Sequence, residues 1–402
     1  MAAPLSGVRV VDLTRYVAGP LMTMTLGDLG ADVIKIETPA GDPARESGPF
    51  VDGESTYFMA SNHSKRSVSL DLRERRGMEI LLRLIDSADV FAENFRPGIA
   101  AAMGLGYEEL RRRNPRLVYV SISGFGDTAA GREMPGFDQT VQAMSGLMSV
   151  TGTEESGPLR VGIAVCDSAT ASFATVGTLA ALVERNRTGE GTHVQATLMQ
   201  SALALINYQA QNTLSTGVAP ARNGNDHPIM FPQGTFKVGD SAITIACGNE
   251  KMWRKLCAVL GLGGLSEDER YADNAGRMRH RKELRRIIEE VLSTRPTEEW
   301  IELINQAGIP AGPVLDIRQA LDHPTTRALG QVQRVRHEKL GPMEVLGKVV
   351  NVGDDPREIK RAAPLLGQHS TEVLIELGIP LEEVDSLVAE GVVVRPELAA
   401  AQ

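Results

Sequence analysis

The chain has little that would tie it together covalently. Only three cysteines, Cys166, Cys247 and Cys257, occur in 402 residues, and none has the paired spacing of a zinc site or a disulfide framework. That scarcity suits a reducing compartment. Seven histidines show no metal-ligand spacing either, which argues against a bound metal. Positive charge is not in excess. A formal net charge of −9 argues against nucleic acid or an anionic membrane as a general partner. The segment Met1–Leu5 lacks the charged and apolar regions of a secretory signal. No apolar run reads as long enough to cross a bilayer, so the expected location is the cytoplasm. Internal repeats and low-complexity tracts are missing. So is a Gly-x-Gly-x-x-Gly after the first strand, which argues against a nicotinamide or flavin dehydrogenase.

What is present is regular alternation. Gly7–Leu13 and Ala31–Glu37 read as buried strands around a short helix, Leu21–Leu29, stopped by Gly30. Further strands follow at Arg66–Leu72, Asp89–Glu93 and Leu117–Ile122, with helices at Glu74–Ser87 and Tyr107–Arg113 between them. Strand–helix repetition predicts an α/β domain with a Rossmann-like open parallel sheet. In such sheets ligands gather beyond the carboxyl ends of the strands. The loops there supply backbone N–H groups, arginines and little bulk. From 136 to 152 the pattern reads as one helix, and Leu198–Ser215 as a long bridging helix.

Composition shifts near Gly217–Pro228. A hairpin at 235–246 and helices at Glu250–Leu260, Arg277–Leu292 and Thr297–Ala307 predict a small α+β domain. The expected organisation is a large domain from 1 to 200, a linker helix over 201–228, the small domain over 229–322, and a return to the large domain over 323–402. Helices are expected at Ser370–Leu377 and Leu381–Glu390, followed by a polar tail.

The stretch Val161–Leu198 holds the strongest candidate for chemistry. A short apolar run ends at Asp167, and a long helix rich in small residues follows, closed by Gly189 and Gly191. An aspartate at that junction faces the positive end of the helix dipole and is expected to stay ionised. Read from the residues alone, it is either an N-cap or a nucleophile.

The blocks Leu5–Leu13, Ala18-Gly19-Pro20, Gly27–Glu37, Gly41–Arg45, Asn62–Leu72, Glu93–Gly98, Gly136-Phe137-Asp138, Asp167 with its helix through Gly191, Gly308–Val314 and Leu365–His369 together resemble the class III CoA-transferase family. The resemblance, of CaiB/BaiF type, runs nearly end to end. It implies that Asp167 is the nucleophile, forming an aspartyl anhydride and then an aspartyl-CoA thioester while CoA moves from an acyl-CoA to a small carboxylic acid. It further implies CoA contacts at Val17 and Ala18, at Leu70, Asp71, Leu72 and Arg73, at Asn94, Phe95 and Arg96, and at Gly136, Phe137 and Asp138. Coenzyme A enters as substrate, with no resident cofactor or metal. An interlocked homodimer is implied as well.

The chain departs from the formyl-CoA transferases at Val17, Thr38, Ser47 and Ala102, where they carry glutamine, arginine, tryptophan and arginine. The missing glutamine and tryptophan argue against oxalate as acceptor, and the missing arginines leave Arg45, Arg73 or Arg96 to meet the phosphates. Tyr57 either faces the acyl pocket, with Arg45 as a second substrate contact, or is a buried aromatic. The family's α-methylacyl-CoA racemases use a histidine where this chain has Phe137, which cannot move a proton. Racemase and non-catalytic CoA-binding protein are the two alternatives to transferase.

Overall fold

The computed structural model describes residues 3–239, 241–353 and 358–396. Chain contacts divide the protein into two compact units. The first comprises 1–145, 162–207 and 324–402; the second comprises 146–161 and 208–323.

The first unit is a mixed α/β layer built in chain order from β1 (Arg9–Asp12), α1 (Ala18–Asp28), β2 (Asp32–Glu37), β3 (Lys65–Leu70), α2 (Arg75–Asp86), β4 (Val90–Glu93), α3 (Tyr107–Arg113), β5 (Val118–Ser123), α4 (Asp138–Met144), α5 (Val165–Thr188), β6 (His193–Thr197) and α6 (Leu198–Leu205). The strands form a sheet in the order β3-β2-β1-β4-β5-β6, with every neighbour parallel. The order reverses between β1 and β4. That point is where an open parallel sheet leaves a crevice, because the two flanking loops turn to opposite faces. A seventh strand, Val393–Val394, pairs antiparallel with β3 in the segment read from sequence as a polar tail. Two residues are too few to show a period, and their pairing is visible only once β3 offers its edge.

Why α1 starts where it does is local. Pro20 sits in the first turn, where a missing N–H costs nothing. Gly19 lies against Thr14: a Cβ there would fall 2.3 Å from the Thr14 Cβ, so only glycine lets the loop fold back.

The central helix α5 runs 24 residues and ends at Gly189 with φ +80°. Its buried face is Thr170, Ala171, Ala174, Thr175, Thr178 and Ala181, small residues that let it pack closely on α1, α6, β5 and β6. By length and composition α5 could cross a bilayer, which corrects the expectation that no run qualifies. In this fold it is a core helix of the first unit.

Three boundaries differ from the sequence reading. The helix expected over 136–152 breaks at Gly146, φ +87°, and Gly146–Val161 clusters with the second unit. The bridging helix breaks at Ile206 into α6 and Asn207–Thr216. In the second unit, Ala311–Pro313, read as a stiff turn, adds a third strand to the hairpin of Gln233–Val238 and Ser241–Ala246. Helices Glu250–Val259, Arg281–Leu292 and Thr297–Gln306 cover that sheet over a core of Trp253, Trp300, Phe231 and Phe236.

The core of the first unit also buries charge. Asp12, Lys35, Asp42 and Lys65 have side chains no more than 1% exposed. Lys65 Nζ lies 3.0 Å from Asp12 Oδ2 and donates to Asn62 Oδ1 at 2.8 Å. Lys35 Nζ pairs with Asp42 Oδ2 at 2.9 Å and donates to the Thr14 carbonyl at 2.8 Å. Burial pushes the Asp12 carboxyl up, but Lys65 and Lys35 overcome it and hold the group well below the usual carboxylate range. Burial brings Lys65 down to about 8 against the pull of Asp12. Removing one partner strands the other in a dry site. Lys65→Ala is therefore expected to cost about 3–5 kcal/mol of unfolding free energy, measured by urea denaturation, whereas an exposed pair such as Arg75–Glu79 should cost under about 1 kcal/mol.

Candidate active site

The site grows from the ends of β1, β4 and β5. Beyond β1, Asp12 accepts from Thr14 N at 2.9 Å and Thr14 Oγ1 at 2.5 Å, bending the chain back toward α1. Val17 is the N-cap of α1 and gives no side-chain cap bond; no acidic residue stands in the first turn. The N-terminal N–H groups of α1 therefore face the switch point, a surface suited to an anion. Beyond β4, Asn94 clasps the other loop. Its Oδ1 accepts from Arg15 N at 2.8 Å and its Nδ2 donates to the Arg15 carbonyl at 2.7 Å. Phe95 N donates to Glu93 Oε2 at 2.8 Å, and the Arg15 guanidinium lies 4.9 Å from the Phe95 ring centre. Burial pushes Glu93 up to about 7.

Beyond β5, Gly124 and Gly136 touch backbone to backbone; a Cβ on Gly136 would come within 2.4 Å of the Gly124 Cα. This contact delivers Phe137 and Asp138 to the start of α5. Asp138 Oδ1 accepts from Cys166 N at 2.8 Å and from Asp167 N at 3.2 Å. Its Oδ2 accepts from Gln142 Nε2, which also reaches the Ile163 carbonyl at 3.1 Å.

The cap of α5 is thus Asp138, from another element. Asp167 is neither at a strand end nor an N-cap: α5 begins at Val165, and Asp167 lies within its first turn. Its charge state also differs from the sequence expectation. Burial first, and the neighbouring Asp138 charge second, push its carboxyl up to about 7. Both effects outweigh the helix dipole.

The structure brings several sequence candidates to this spot and leaves others elsewhere. Tyr57 is 39% exposed. Burial raises its hydroxyl, and the charges of Asp167, Asp42 and Asp138 raise it further, so it shares their neighbourhood. Phe137 is 61% exposed. Arg45 is committed: Nε and Nη2 bind Glu37 at 2.7 and 2.8 Å, and Nη2 also reaches the Pro364 carbonyl. Leu70 is wholly buried in the core of the first unit, and its backbone pairs edge to edge with Val393 of the seventh strand. Leu72 packs on the same core. Arg73 is exposed and pairs with Asp71 at 2.6 Å, and Arg96 is exposed at the loop after β4. A cavity of about 870 Å³ opens beside Phe95 and Arg96 at the carboxyl ends of β4, β5 and β6.

Sequence reasoning missed Tyr16, Gln142, and the capping role of Asp138. It also missed the buried Lys35 and Lys65, of which only Lys35 left a signal, as a charge inside an apolar strand.

Residues 5–370 match the family model described as CoA-transferase family III. The chain belongs to CoA-transferase family III. It is 37% identical over 397 residues to human succinyl-CoA:glutarate CoA-transferase, covering 98% of this chain and 91% of that protein. It is 39% identical over 381 residues to the acetyl-CoA:oxalate CoA-transferase of Acetobacter aceti, covering 94% and 96%. A crystal structure of a CAIB/BAIF family protein from Brucella suis matches with a TM-score of 0.84 at 36% identity, covering 94% of this chain and all of that one. Family III CoA-transferases take CoA thioesters as substrates.

Two outcomes test the carboxylate pair. Asp138→Asn removes one of the two causes holding Asp167 near 7, so the Asp167 carboxyl, followed by carbon NMR titration, should ionise at lower pH. A carboxyl whose folded pKa exceeds its unfolded value destabilises the fold as pH rises between them. Asp167→Asn should therefore gain stability relative to wild type between pH 4 and pH 7, read from thermal melts at fixed ionic strength.

Proposed function

We propose that this protein moves CoA from an acyl-CoA, with succinyl-CoA as the first donor to try, to a small carboxylic acid through covalent chemistry at Asp167. The observation that carries this reading is the Asp138–Asp167 pair at the start of α5. A carboxylate is a poor nucleophile when its pKa is low. Burial and Asp138 raise the basicity of Asp167 while leaving it substantially ionised near neutral pH.

The steps follow from that group. An Asp167 oxygen attacks the thioester carbonyl, the C–S bond breaks, and CoA leaves as thiolate. The product is a mixed aspartyl anhydride. The thiolate then attacks the Asp167 carbonyl carbon and releases the donor acid, leaving an aspartyl-CoA thioester. An incoming carboxylate attacks that thioester and expels the thiolate. Attack of the thiolate on the acceptor's carbonyl completes the transfer and frees Asp167. One thioester replaces another, so the exchange is nearly isoergic and needs no ATP. Oxyanions in each step need N–H donors, and the open N-terminus of α1 and the glycine loops are suited to supply them. In this reading CoA lies along Val17, Ala18, Asn94, Phe95 and Arg96, at the point where strand order reverses. Phe137, with no proton to give, argues against the racemase alternative.

The reading extends to assembly and place. α5 leaves Phe173, Val176 and Val183 exposed, and α6 leaves Leu203 and Leu205 exposed, apolar area that a second copy would cover in an interlocked homodimer. The cysteines are free and buried, as suits the cytoplasm.

Incubation with succinyl-CoA or acetyl-CoA and a panel of carboxylic acids, read by mass spectrometry, should show CoA transfer without ATP. Hydroxylamine should trap an acyl group on Asp167. Asp167→Ala should lower turnover at least about a thousandfold while CoA still binds by calorimetry. Exchange of solvent deuterium into the α-position of a 2-methylacyl-CoA, without transfer, would overturn the reading in favour of a racemase.

A further inference from the structure

One residue near the nucleophile holds a conformation that its type avoids. Tyr16 has φ +65°, in the left-handed region that a bulky side chain rarely enters. Its neighbours leave it no room to relax. Tyr16 N donates to Asp42 Oδ1 at 3.2 Å. Arg15 before it is clasped by Asn94, and Lys35 holds the Thr14 carbonyl. α1 begins at once after Val17. Backbone strain held in place by surrounding hydrogen bonds clusters at functional sites. Packing does not explain the ring, which is 41% exposed.

The strained backbone aims the Tyr16 ring at Phe137. The two meet edge to face, with centres 6.0 Å apart and planes at 79°. Phe137 adjoins Asp138, whose carboxylate holds the N–H of Asp167. Tyr57 closes the group, since its hydroxyl feels both Asp167 and Tyr16. The acceptor's carboxylate has to reach the carbonyl carbon on Asp167; if it approaches along the face where Tyr16 and Phe137 meet, a branch beside that carboxylate passes these rings. A rigid aromatic pair gives way less than flexible side chains of equal size.

We propose that Tyr16, braced by Phe137, is the residue that sets acceptor specificity, admitting acids unbranched beside the carboxyl and rejecting branched or bulky ones. The proposal rests on the transferase reading above. It assigns selection to the ring and to its left-handed backbone, and none of it to the hydroxyl.

The test is an acceptor series of acetate, succinate, glutarate, isobutyrate, pivalate and benzoate, with succinyl-CoA and acetyl-CoA as donors. Tyr16→Asn accepts the left-handed conformation and removes the ring. It should raise the kcat/KM of isobutyrate relative to succinate by about tenfold or more, the discrimination that one or two methyl groups support. Donor KM should change far less. Phe137→Ala should move the ratio the same way, and Tyr16→Phe should keep the wild-type order of acceptors. If Tyr16→Asn and Phe137→Ala slow all acceptors by a common factor, leaving the isobutyrate-to-succinate ratio of kcat/KM unchanged, the proposal is overturned and the transferase reading stands. If the wild type transfers CoA to no acid and hydroxylamine traps nothing on Asp167, the reading beneath it fails and the proposal falls with it.

Discussion

The architecture of the site depends on four charges kept away from water. Taking Asp12, Lys35, Asp42 and Lys65 out of solvent is costly, and mutual attraction offsets the cost only if the remaining lone pairs and protons are also satisfied. Here they are. Asp12 accepts from Thr14 twice, from Thr23 Oγ1 at 2.7 Å and from Lys65. Asp42 accepts from Tyr16 N and Ala44 N on one oxygen and faces Lys35 with the other. Thr14 and Tyr16 lie on the loop that leaves β1, Lys35 and Lys65 on strands beside it, Thr23 on α1, and Ala44 in the turn after β2. The network therefore does more than fill the interior: it fixes the path of residues 12–17, which form one wall of the switch-point crevice.

A second constraint ties the nucleophile to that wall. The N-terminus of a buried helix attracts negative charge, and two carboxylates share it. Asp138 takes the backbone N–H bonds, which leaves the Asp167 side chain unpaired by the helix and close to a like charge. The outcome is a carboxyl near 7 where a capping aspartate would have stayed low. Division of labour between the two residues, one holding the helix and one free to react, is what a covalent transfer through an aspartate needs.

Much of the fold was legible in order. Apolar runs marked β1, β2, β3, β4 and β5, and small apolar residues at helical spacing marked α5. The start of α5 was not legible, because its cap, Asp138, lies 28 positions before the Cys166 N–H it accepts from, beside the Gly124–Gly136 contact. The breaks at Gly146 and Ile206 escaped because the apolar period continues across them. Leu70 stands in a block of the family resemblance, and folding puts its side chain in the core and pairs its backbone with Val393.

From residue order alone came the alternation of strands and helices, the absence of a dinucleotide fingerprint, the family likeness, and Asp167 as the residue to watch. These follow from periodicity and from blocks of neighbouring residues, which any chain displays without folding. Folding alone settled which carboxylate caps and which is free, where Tyr16 points, and why its backbone is strained. Those are properties of groups far apart in the chain and close in space, and their energies arise from burial, which no local pattern encodes.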